Sequence, residues 1–77
     1  MNSKTFQSIE ASRGCNEFGG YRLVRTETVH ASGRVEWQVK GYSQDDGTIN
    51  ERGVREHGPL DLDKVEAARR ASGWTVV

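Results

Sequence analysis

Residues 18–43 read FGGYRLVRTETVHASGRVEWQVKGYS, and the way this stretch pairs with itself decides the architecture. From Arg34 to Tyr42, Val35, Trp37 and Val39 alternate with Arg34, Glu36, Gln38 and Lys40, the period-2 pattern of a strand buried on one face. The run Tyr21 to His30 is less clean, because Tyr21, Leu23 and Val29 share their parity with Arg25 and Glu27. Ala31-Ser32-Gly33 separates the two runs. A three-residue loop with Gly33 left-handed pairs Val29 with Val35 and Leu23 with Gly41, which gathers the large apolar groups on one face and sets Glu27 opposite Trp37. A two-residue Ser32-Gly33 turn would exchange the faces and set Arg25 against Lys40. Like charges directly opposed are unfavourable, so the first register is expected.

After this hairpin, Gln44-Asp45-Asp46-Gly47-Thr48 is a second turn, with Asp46-Gly47 suited to a type I′ connection. A third strand is expected over Thr48 to His57. Its large apolar residues, Ile49 and Val54, differ in parity, so the run needs a bulge near Gly53 or else forms a weakly held edge strand. Gly58-Pro59 ends the sheet, and a helix follows. Asp61 is placed to cap it, Leu60 and Val65 to staple its first turn, and Gly73 to stop it in the left-handed region. Leu62, Val65, Ala68 and Ser72 form its inward stripe, and Glu66 and Arg70 a surface pair. Trp74-Thr75-Val76-Val77 is expected to pack as a short strand or an apolar plug.

Residues 1–20 are the least patterned. Phe6 and Ile9 are three apart, which fits a helical turn as well as an edge strand, and the glycines at 14, 19 and 20 break any regular element. The expected organisation is an N-terminal arm or short extra element over 1–20 and one α+β domain over 21–77. The fold class is a three- to four-stranded antiparallel sheet in β-β-β-α order, with one C-terminal helix packed on one face.

Composition narrows the function. The chain has 77 residues, 34% of them hydrophobic, close to the size at which a single core only just supports folding. A homodimer or a stabilising partner therefore fits its economy. Eleven basic and eleven acidic residues cancel, which argues against a general polyanion binder held through phosphates. No apolar run reaches spanning length and the first residues lack an apolar signal core, so no membrane role and a cytoplasmic location are expected. Cys15 is the one cysteine, which excludes an intrachain disulfide and a cysteine metal cluster. His30 and His57 show no HxH or HExxH spacing, no GxSxG elbow occurs, and the glycines make no phosphate loop. No catalytic residue, metal or cofactor is assigned.

What remains is an exposed sheet face of Arg22, Arg34, Glu36, Gln38, Lys40 and Tyr42, with Arg52 or Arg55 beside it. In element order, three strands and then a helix, the chain resembles sheet-reading DNA-binding domains such as the plant ethylene-response and integrase amino-terminal types, and that resemblance implies a sheet face laid in the major groove. In size, α+β architecture and lack of a catalytic motif it also resembles the small phage-borne inhibitors of bacterial defence, including anti-CRISPR proteins, which implies a module that occludes a partner's surface. The second reading leads: a non-enzymatic protein-binding module with Tyr21, Arg22, Arg34, Lys40, Tyr42 and Arg55 as anchors, Tyr and Arg being favoured at interface hot spots. Nucleic-acid binding through the sheet is the alternative.

Overall fold

The structure, a computed structural model, describes residues 2–11, 20–43 and 47–77. Its elements are β1 (Ser3–Ala11), β2 (Tyr21–His30), β3 (Arg34–Ser43), β4 (Gly47–Glu56), α1 (Leu62–Ala71) and β5 (Thr75–Val76). The strands form one antiparallel sheet in the order β4-β3-β2-β1-β5. The helix carries the chain from one edge of the sheet to the other.

The expected three- to four-stranded β-β-β-α sheet is thus corrected to five strands in β-β-β-β-α-β order. One added strand comes from the segment read as an arm or short extra element. β1 pairs with β2 along its whole length, from Ser3 opposite His30 to Ala11 opposite Arg22. Phe6 and Ile9 point to opposite faces because their spacing is odd; Phe6 is 0% exposed and Ile9 56%. A strand with a single buried anchor has no apolar alternation to reveal it. The tail adds the fifth strand, with Val76 opposite Phe6 and the Val77 amide donating to the Thr5 carbonyl at 2.9 Å.

The β2–β3 register agrees with the expectation, with Val29 opposite Val35, Glu27 opposite Trp37 and Leu23 opposite Gly41. Gly33 closes the turn at φ +101°, its amide donating to His30 at 2.9 Å. A side chain there would collide with the carbonyl oxygens of His57 and Gly58, because the chain leaving β4 passes directly over the turn. The His57 amide donates to Gly33 and the Leu60 amide to Ala31, at 2.8 and 2.9 Å.

β4 is an edge strand without a bulge, in unbroken register from Arg34 opposite Glu56 to Ser43 opposite Gly47. Ile49 consequently faces the helix side and Val54 the other, half exposed. Gly53 sits opposite Trp37, and the indole lies against it so closely that a Cβ at Gly53 would meet the ring. The glycine gives the large ring room between two strands 4.7–4.9 Å apart. The expected Asp46-Gly47 turn falls partly on residues outside the described ones, as do Cys15 and Phe18; Gly47 itself has φ +73°.

The helix begins as its sequence indicates. The Asp61 carboxylate accepts from the Asp63 and Lys64 amides at 3.0 and 3.4 Å. At the other end the Trp74 amide donates to Arg69 and the Gly73 amide to Arg70, with Gly73 at φ +88°, the paired bonds of a Schellman stop. Leu60, Leu62, Val65, Trp74 and Val76 pack on Phe6, Val29 and Val35. Ten helical residues span about 15 Å, less than half of the roughly 33 Å of a ten-residue strand. The helix therefore roofs one end of one face, and among the described residues the other face carries no helix.

Candidate functional site

The helix-free face is ordered by the pairing of the strands, since directly opposed residues share a face. One transverse row holds Thr75, Gln7, Thr26, Gln38 and Arg52. The next holds Ile9, Val24, Lys40 and Asn50, and the next Ala11, Arg22, Tyr42 and Thr48. Arg52, Lys40 and Arg22 thus run diagonally across three strands, each step one strand over and two residues along, roughly 8 Å between Cα atoms. Among the described residues none of these three cations has a carboxylate partner within ion-pair distance. A shallow depression of about 500 Å³ opens beside the diagonal, lined by Thr26, Thr28, Glu36, Gln38, Arg52 and Val54 among others.

Charge is unevenly divided between the two sides. The helix-free face carries Arg22, Arg34, Lys40 and Arg52 against Glu36 and Glu56, a local excess of positive charge, while the other described charges cancel. Glu36 stands in the row next to Arg52, and Glu56 one row further from the diagonal. Glu36 accepts from His30 at 3.0 Å and lies 3.6 Å from Arg34, and Glu56 stands opposite Arg34. The hydrogen bond from His30, with the Arg34 charge behind it, holds the Glu36 carboxyl below its ordinary range.

Four of the six anchors expected from the sequence, Arg22, Arg34, Lys40 and Tyr42, share this face. Tyr21 and Arg55 have the opposite parity and lie on the helix side. Of the expected pair Arg52 or Arg55, Arg52 lies on this face, and two exposed groups that the sequence did not mark, Ile9 and Val54, join it. Their pattern needs the register of β1 and β4, which local periodicity does not supply.

The helix side holds a second cluster. Glu27, 4% exposed, accepts through one oxygen from Arg55 at 2.9 Å and from Arg69 at 2.6 Å. The Schellman stop brings Trp74 beneath Arg69, whose guanidinium carbon lies 4.5 Å from the ring centroid, within cation–π range. Next to it is a groove of about 270 Å³, lined by Val29, Val35, Leu60, Val65 and Ala68 with Arg55, Arg69 and His57 around it.

A third set of charges ties the helix to β1. Lys4 donates to Glu66 at 2.6 Å and to Asp63 at 3.4 Å, and Arg70 donates to Glu66 at 3.2 Å. The hydrogen bond from Lys4, followed by that from Arg70, lowers the Glu66 pKa, and the bond to Glu66 raises that of Lys4. A lowered carboxyl stabilises the fold above its unfolded value and loses that contribution as pH falls through the folded one; a raised amine loses its contribution as pH climbs past its own. Acid weakening below the ordinary 4.5 and alkaline weakening above 10.5 are therefore expected. Melting temperatures at pH 3 and 7 should differ less in Glu66→Gln than in the parent chain, and an unchanged difference would contradict this assignment.

Among the described residues no group of three or more His, Cys, Asp or Glu side chains could hold a metal, and no helix is long and apolar enough to cross a membrane. Comparison with protein-family models, with curated proteins and with solved structures finds no match to this chain.

Proposed function

We propose that the chain is a non-enzymatic, cytoplasmic binding module whose helix-free sheet face covers a surface of a partner protein. The observation that carries this reading is the composition of that face. Tyr42, Ile9 and Val54 are 48%, 56% and 50% exposed, and they share the face with Arg22, Lys40 and Arg52, which have no carboxylate partner among the described residues. Tyr and Arg are the residues favoured at interface centres, and Tyr42 stands directly opposite Arg22, with Ile9 and Lys40 in the adjoining row. The basic excess favours an acidic patch on the partner. Occlusion of a bacterial defence complex is the role that small size and a silent chemistry suggest.

The cation diagonal favours nucleic acid as the second reading, because three positive charges in line can follow a phosphate backbone. Salt separates the two. Three phosphate contacts give a slope of about −3 in log affinity against log salt on duplex DNA, while a packed protein interface responds less. The tagged protein should retain its partner from nuclease-treated lysate, and Tyr42→Ala should weaken the purified complex by roughly 30-fold or more, the loss of one hot-spot residue. Capture that vanishes with nuclease, or that Tyr42→Ala leaves intact, would overturn the protein-binding reading.

A further inference from the structure

We infer that the groove between α1 and the β3–β4 side of the sheet is a binding site for a small apolar carboxylate. Its floor and helix wall are hydrocarbon from Val29, Val35, Leu60, Val65 and Ala68. Its cationic wall is Arg55 and Arg69, which share the single carboxylate of Glu27, so one positive charge is left over beside the hydrocarbon. His57 lines the same groove.

Size and chemistry then select the ligand. With a water occupying about 30 Å³ of liquid, 270 Å³ admits a molecule of on the order of ten non-hydrogen atoms. An apolar body of that size would displace water from the valine and leucine surface. Its carboxylate would meet guanidinium forks, which match carboxylate geometry. An alcohol of the same length gains the first contribution alone, and an alkylammonium is repelled by the surplus charge. Glu27 assists by holding both arginines in place from below, at 2.9 and 2.6 Å. The site lies on the side of the sheet away from the proposed partner face, so the two readings stand or fall separately.

The test titrates ¹⁵N-labelled protein with hexanoate, hexan-1-ol and hexylammonium in parallel, following amide shifts. Hexanoate should saturate, with shifts centred on Val29, Val35, Leu60, Val65 and Ala68, and bind at least tenfold more tightly than hexan-1-ol, with no saturation by hexylammonium. Arg55→Gln, which removes a side chain 42% exposed, should weaken hexanoate at least fivefold and leave hexan-1-ol unchanged. Ala68→Leu, on an exposed helical position, should fill the groove and abolish both while preserving the remaining spectrum. Equal affinity for acid and alcohol, no saturation with hexanoate, shifts centred on the helix-free face, or hexanoate binding that survives Ala68→Leu would each overturn the proposal.

Discussion

Phe6→Ala is expected to destabilise the protein by about 3–5 kcal/mol, the usual cost of truncating a buried phenylalanine and leaving a cavity. Domains of this length have a total stability of roughly 4–12 kcal/mol at 0.05–0.15 kcal/mol per residue, so the loss removes from about a quarter of it to all of it. The reason is topological. Phe6 is 0% exposed, lies opposite Glu27 on one side and Val76 on the other, and belongs to the same cluster as Val29 and Val35. It is the one large apolar side chain that β1 contributes to that cluster. Ile9→Ala, three residues along the same strand but on the other face, should cost within about 0.5 kcal/mol, as surface substitutions do. Urea denaturation of both variants checks the pair, and comparable losses would mean that β1 does not seat Phe6 in the core.

The same two residues show why the sequence leaves helix and strand undecided at the N-terminus. Helical and extended readings of Phe6 and Ile9 differ only in what lies across from them, and that is supplied by β2 and β5, far away in the chain. The hairpin was legible because its information is local: alternation over Val35, Trp37 and Val39, a glycine at the turn, and the avoidance of Arg25 against Lys40. The helix was legible for the same reason, through Asp61 at one end and Gly73 at the other. β4 was only half legible. The bulge proposed to reconcile Ile49 with Val54 is absent, because an edge strand with a helix over one end of one face does not have to bury both, and Val54 stays half exposed. The candidate surface followed the same division. Arg22, Arg34, Lys40 and Tyr42 could be grouped by parity within one hairpin. Arg55 was misgrouped because its face depends on the β3–β4 register, and its function on the helix side depends on a glutamate 28 positions away.

Glu27→Gln is expected to cost about 2–4 kcal/mol. In the hairpin alone, Glu27 opposite Trp37 looks like an expense of the register. In the folded chain it is the group on which β4 and the C-terminal turn of α1 converge, through Arg55 and Arg69. Removing one member of a buried charge cluster typically costs 3–5 kcal/mol, because its partners keep their charges and lose their compensation. The figure is reduced here since Arg55 is 42% exposed and solvent screens it. With the amide in place, two guanidiniums meet around a neutral group, and Arg69, 25% exposed and stacked on Trp74, has the less room to withdraw. The double variant Glu27→Gln/Arg69→Met should therefore be more stable than Glu27→Gln/Arg55→Met relative to the sum of its single changes. Coupling energies of about 1 kcal/mol or more are expected between Glu27 and Arg69, within the range for residues in one charged network. Chemical denaturation of the cycle measures this directly. Strict additivity would show that Glu27 is held in the sheet by packing alone and that the arginines merely lie near it.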